Sequence, residues 1–273
     1  MNTLSPICLL LGWLCLVGRA SAGETDLAAV WEYLADSQSV AARAALKELK
    51  TADPRTRALA DVVLTMARPP VAEGRLPELE TTLNSLASGD GDTAALALYL
   101  RARLHQVHLL RPNYARAATL YRELARHYPR SHWAQLGLVK LGIVTLYALP
   151  EPADPAARFA AVSGLLEGIG EPALRRDLQL QIGWAGLFYD RPLDEVLPHL
   201  IAADRVGGLL GITPEELVLQ IGELSLRAGH RQQARTYFER FLREFPTNIR
   251  RYTVQQRLVE IGTTAGLEPK GGL

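Results

Sequence analysis

His105 and His108 stand three residues apart in a helical stretch, a spacing that could turn both imidazoles toward one metal ion. No HExxH pattern accompanies them, so the spacing reads as packing and surface polarity, and no metal is expected. His127 and His132 flank a helix end, where His127 meets the negative pole of the helix dipole without needing a function. Asp90 and Asp92 in SGDGDT hint at a calcium loop. The twelfth residue counted from Asp90 is Arg101, where such a loop requires a bidentate Glu, so a turn and a helix cap are expected instead. Gly207, Gly208 and Gly211 have the composition of a phosphate loop, but no strand precedes them and no Lys-Ser/Thr follows; they read as a linker. No nucleophile elbow or Ser-His-Asp arrangement is discernible. Arg235, Glu239, Arg240, Arg243 and Glu244 read as a solvated face, with Arg235–Glu239 and Glu239–Arg243 as i, i+4 pairs. The residues therefore point away from catalysis, and no cofactor is expected.

The chain has 273 residues, 48% hydrophobic and 22% charged, with a formal net charge of +1, so nothing basic enough points to nucleic acid. Residues 1–22 read as a secretory signal: Ile7 to Val17 is an apolar run too short to span a bilayer, and Ala20-Ser21-Ala22 has the form of a cleavage site. Two features are unusual for such a signal: no Lys or Arg precedes the apolar run, and Arg19 lies close to the cut. The expectation is an exported protein, periplasmic or secreted, with no stable membrane span after cleavage; the alternative is an uncleaved N-terminal anchor. Cys8 and Cys15 both fall in this segment, so the mature chain would hold no disulfide and no thiolate site.

Helices must position whatever the chain does. Ala234, Tyr237, Phe238, Phe241, Leu242 and Phe245 recur at offsets that place all six on one helical face, and Pro246 stops that helix. Ala117, Leu120, Tyr121, Leu124, Ala125 and Tyr128 repeat the same offsets and end at Pro129. Thr213 is expected to cap the helix before Ala234, with Pro214 at its first position and Glu216 completing a capping box; Gly229 ends it. A long helix is expected over Thr93–Leu110, others over Ser131–Leu149 and Pro172–Tyr189, and a last one over Ile249–Ala265. Second helices of successive pairs begin near residues 39, 76, 114, 154, 193 and 231, a period close to forty. No stretch alternates as a strand does. One two-helix unit cannot bury its own apolar face, so the units must lean on one another.

Val218, Ile221, Gly222 and Ser225, then Ala234, Phe238 and Pro246, follow the spacing of the tetratricopeptide repeat, and the chain resembles that family. Ala117, Tyr121 and Pro129 carry the second half of the same pattern, with His105 where Gly222 stands in the other hairpin. The resemblance implies an all-α, right-handed α-solenoid of about six helical hairpins over residues 23–266, a C-terminal capping helix and a tail at 267–273. Ala117, Tyr121, Pro129, Gly222, Ala234, Phe238 and Pro246 would be its packing residues. It also implies a concave groove lined by first helices, which by register offers Tyr99, Ala102, Gln106 and Leu109, then Trp133, Leu136 and Lys140, then Glu216, Leu219, Glu223 and Arg227. Such a groove would bind a protein or peptide segment, as in TPR proteins of the bacterial cell envelope. A noncatalytic envelope scaffold is therefore expected; the alternatives are a periplasmic peptidoglycan enzyme or its accessory, and a structural subunit whose groove takes another copy of itself.

Overall fold

The computed structural model describes residues 38–48, 53–67 and 69–265, together with Val30 and Tyr33. The expected signal at 1–22 and the expected tail at 267–273 lie outside the described residues. Among those residues there are twelve helices and no strand: α1 (Ser39–Glu48), α2 (Pro54–Met66), α3 (Leu76–Ala87), α4 (Asp92–Arg103), α5 (Tyr114–His127), α6 (His132–Tyr147), α7 (Pro155–Gly164), α8 (Pro172–Phe188), α9 (Leu193–Val206), α10 (Thr213–Arg227), α11 (Arg231–Glu244) and α12 (Arg251–Ala265). The second helices of the pairs, α1, α3, α5, α7, α9 and α11, start within a residue of the expected positions.

The chain forms two compact units, one up to Gly137 and one from Leu138 onward. In the first, α1 to α5 each pack on the next; in the second, the same holds from α7 to α12. Helices that touch their neighbours in sequence order make an all-α solenoid of repeating pairs, and the contacts are local because each pair can bury its apolar stripe only on the pair beside it.

Local chemistry sets the helix starts. Asp53, Asn113 and Asp154 accept hydrogen bonds from the backbone N–H of Thr56, Arg116 and Ala157 at 3.0, 3.0 and 2.9 Å. Each thereby satisfies a donor that the first turn leaves without a carbonyl. Proline occupies the first turn of α2, α3, α7, α8 and α10, where its missing N–H costs nothing. Gly229 takes a left-handed φ of 83° after α10, a conformation that lets the chain reverse into α11.

Two expectations are corrected. Thr213 does not cap α10: it is the first helical residue, the cap position belongs to Ile212 and holds no side-chain bond, and the Glu216 carboxylate is drawn instead to Arg250. The helix expected over Thr93–Leu110 ends at Arg103 and gives way to a π-helical turn, Leu104–His108, after which Leu109 is extended. A π turn takes in one residue more than an α turn, and His105, which the strict hairpin spacing aligns with Gly222, lies within it.

Small residues meet large ones where the helices of a pair approach. A Cβ on Gly222 of α10 would lie 2.7 Å from Phe238 of α11, and one on Gly183 of α8 would lie 2.4 Å from Leu200 of α9. One on Gly142 of α6 would lie 2.6 Å from Leu178 and 3.3 Å from Val162 of α7. Val162, Leu200 and Phe238 are 38 residues apart and each is wholly buried. Leu200 and Phe238 are equivalent knobs, each the nearest side chain to the glycine it covers, whereas at Gly142 the nearer side chain is Leu178 of α8. In the first unit Ala117, Leu120, Tyr121 and Leu124 of α5 are buried in the same pattern as Ala234, Phe238 and Phe241 of α11. Pro129 and Pro246 are exposed just beyond their helices, as helix stops.

Gly222→Ala should destabilise the protein by about 1–3 kcal/mol, because the rigid Phe238 ring has to shift. Gly164→Ala, at the end of α7 with nothing within 4 Å of the new methyl, should be neutral or stabilising by less than about 1 kcal/mol. Urea unfolding midpoints of the two variants test the contrast.

Candidate functional site

In the second unit the first helices are tied to one another by polar groups that step from pair to pair. Trp184 Nε1 of α8 donates to Gln220 of α10 at 3.2 Å. Glu216 and Glu223, two turns apart on α10, accept from Arg250 and from Arg257 of α12, at 2.9 and 3.1 Å. Both ion pairs span 34 residues, so one helix offers carboxylates and the next offers guanidinium groups in the same register. These side chains are only partly buried, and each pair contributes no more than about 1 kcal/mol. Their effect is to fix which turn of α12 faces which turn of α10.

Beside this row lies a cleft of about 330 Å³ between the C-terminal end of α8 and the C-terminal half of α10. Leu187, Leu193 and Leu224 form its apolar floor, while Asp190, Arg191, Gln220, Glu223 and Arg227 supply polar groups. Asp190 holds a left-handed φ of 51° and so turns the chain sharply at the cleft's edge. Arg191 is engaged by Glu195 at 3.0 Å, and Glu223 by Arg257. Among the described residues, neither the Asp190 carboxylate nor the Arg227 guanidinium has an ion pair or side-chain hydrogen bond. The cleft thus presents one acid and one base, neither of them paired within the described residues, over an apolar floor.

The expected groove residues divide by burial. Glu216 and Glu223 are half-buried in the row just described, Arg227 is exposed at the cleft, and Trp133 and Lys140 of α6 are half-buried. Tyr99, Ala102, Gln106, Leu136 and Leu219 are buried. The Tyr99 ring lies 6.2 Å from that of Tyr121 and 5.6 Å from that of Trp133. Gln106 accepts from Tyr121 Oη at 2.6 Å and from Arg103 at 2.9 Å, and Leu219 packs with Phe238 and Phe241. Leu109, beyond the π turn, packs half-buried against the core of the first unit. The helical register placed Leu109 on the wall; the inserted residue of the π turn removed it.

His105 and His108 both lie in the π turn. His105 Nε2 is 3.2 Å from Glu80, and His108 is buried, with its carbonyl accepting from the Val71 N–H at 2.7 Å. Among the described residues no three His, Cys, Asp or Glu side chains are placed to hold a metal ion. Burial, seconded by the nearby Arg103 charge, pushes His108 down to about 4. Asp92 opens α4 and is engaged by Ser131 at 3.2 Å. The face expected to be merely solvated is bonded differently: Arg240 reaches Asp204 of α9 at 2.6 Å and Glu244 at 3.0 Å, and Asp204 also accepts from Tyr237 at 3.1 Å. Burial first, and the Asp204 charge second, push the Tyr237 phenol up to about 12.

Sequence reading missed Arg158. Its guanidinium is buried without a carboxylate and donates to the carbonyls of Thr145, Leu149 and Pro150 at 2.7, 2.7 and 3.0 Å. The C-terminal pole of α6 supplies the compensating negative potential. An arginine in place of the small residue at the Ala117 and Ala234 position was the available signal, since charge there needs a partner.

No described helix is long and apolar enough to cross a membrane. Residues 216–248, which cover most of α10 and all of α11, match the family described as tetratricopeptide repeat. No curated protein matches the chain. Among solved structures the chain is similar to BtubC (BKLC) from P. vanneervenii, at 12% identity and a TM-score of 0.46, over 93% of this chain and 96% of that one.

His108 gives a pH signature. It is neutral when folded and takes up a proton near its ordinary value of 6.5 when unfolded, so the unfolded chain binds more protons as pH falls from about 6.5 to about 4. Stability should fall across that window by up to about 3 kcal/mol and level off below it. Thermal melts of wild type and His108→Gln should diverge from pH 7 to pH 4, with the variant the flatter. With its helices packed on one another in sequence order, the chain is an all-α helical-repeat protein whose residues 216–248 match the tetratricopeptide repeat.

Proposed function

We propose that this chain is a noncatalytic scaffold of the cell envelope, and that it holds a segment of a partner protein on the first-helix face of its second unit. Tetratricopeptide-type repeats serve generally as protein-interaction scaffolds, and all-helical folds of this kind are typically noncatalytic. The observation that carries the reading is the cleft at α8 and α10, where Asp190 and Arg227 stand unpaired among the described residues above Leu187, Leu193 and Leu224. An apolar floor with a few converging polar groups suits a peptide: side chains bury on the leucines, while backbone or charged groups answer the acid and the base. Export is supported by the signal-like residues 1–22, and the mature chain would then meet its partner outside the cytoplasm.

Affinity capture from envelope extract with the chain from residue 23 onward tests the reading. Arg227→Glu, at an exposed position, should reduce the captured partner about tenfold or more, since it places like charge beside Glu223 and Asp190. Glu239→Lys, exposed on α11 away from the cleft residues, should leave capture unchanged. A partner held equally by both variants would defeat the cleft assignment. A fusion of residues 1–30 to a reporter active only after export should be active.

A further inference from the structure

Charge is segregated on one helix of the first unit. Residues 111–130 hold five arginines, one Glu and no Lys, a net charge of +4 in a chain whose total is +1. The buried face of α5 carries Ala117, Leu120, Tyr121 and Leu124. Its opposite face carries Arg122 and Arg126, one turn apart, with Ala115 and Thr119 continuing the line; Arg111 and Arg130 flank the helix ends. All four arginines are exposed, and among the described residues none makes an ion pair or side-chain hydrogen bond. In the second unit several arginines are engaged instead: Arg176, Arg191, Arg240, Arg250 and Arg257 are each paired with a carboxylate. The one acid of α5, Glu123, is half-buried. Leu110 and Tyr114, beside Arg111 in sequence, are 68% and 38% exposed.

We propose that the outward face of α5 docks an acidic segment of a protein, with an apolar residue at the end that meets Leu110 and Tyr114. Charge complementarity selects the occupant: guanidinium groups bind carboxylates through paired N–H donors, and the absence of lysine favours that geometry over a diffuse charge. Ala115 and Thr119 keep the middle of the face low, so a facing chain can approach both Arg122 and Arg126. A lipid surface is the poorer fit, because a membrane-lying helix needs a stripe of large apolar side chains to insert, and here only Leu110 and Tyr114, at one end, offer any. The proposal rests on residues of the first unit alone and does not depend on the cleft at α8 and α10.

Fluorescence anisotropy of a labelled oligoglutamate peptide ending in a leucine, titrated with the full chain at low ionic strength, tests the proposal. Wild type should bind, and affinity should fall steeply with added salt. Arg122→Glu with Arg126→Glu should weaken binding about tenfold or more, with an unchanged circular dichroism spectrum; Arg122→Gln with Arg126→Gln should weaken it less. Arg231→Glu with Arg235→Glu on α11 should stay within about twofold of wild type. Equal binding by the Arg122 and Arg126 variants, or no binding by wild type, would overturn the proposal. So would preferential binding to phosphatidylglycerol vesicles or to single-stranded RNA through these same arginines.

Discussion

A large side chain seated over a glycine of the preceding helix is the contact on which the second unit is built. Leu200 and Phe238 occupy this place in two consecutive pairs, opposite Gly183 and Gly222, and at Gly142 it is shared by Leu178 and Val162. The glycine lets two helix backbones come close, and the knob fills the volume that a side chain would have taken. Neither half is tolerant: a methyl on the glycine collides, and a smaller knob leaves a void in a tightly packed interior. Because the knob sits four residues after Arg158, Val196 or Ala234, its position also sets the rotation of each second helix, and hence the stripe it turns inward.

Polar contacts then fix register where apolar packing alone would allow sliding. The Glu216–Arg250 and Glu223–Arg257 pairs tie α10 to residues at and beyond the start of α12, and Tyr237 and Arg240 tie α11 to Asp204 of α9. Arg158 does the same inside a pair, by holding four carbonyls at the end of α6. The individual ion pairs are weak, being partly exposed, yet each satisfies a specific partner and penalises the alternatives that would separate them. The cleft between α8 and α10 is the place where this bonding stops short.

The hairpin period and the buried face of each second helix were legible because both follow from spacing alone. Ala117, Tyr121, Ala234 and Phe238 are all buried where their offsets put them. The small residues of α6 and α8 were less legible, since Gly142 and Gly183 lie among other glycines and only their 41- and 39-residue steps to the next knob-bearing pair mark them out. Spacing failed at Leu109 for a mechanical reason: one residue inserted in the π turn at Leu104–His108 breaks the register for everything that follows on that helix. It failed also at the groove, where periodicity separates an inward from an outward face but does not tell a side chain open to solvent from one covered by the next pair, as with Tyr99, Leu136 and Leu219.

By itself, the sequence determined most of the helices, the stops at Pro129 and Pro246 and the repeat of about forty residues, because these depend on interactions within a turn or between neighbours a few residues apart. Only the tertiary structure decided which carboxylate meets which guanidinium. Glu216 could serve its own helix start or Arg250, 34 residues on, and Arg240 could face water or Asp204; both choices rest on distances between helices that sequence spacing does not contain. The same holds for what is left over. Asp190 and Arg227 stand unpaired among the described residues, and the arginines of α5 stay in solvent, and neither outcome can be read from spacing along the chain.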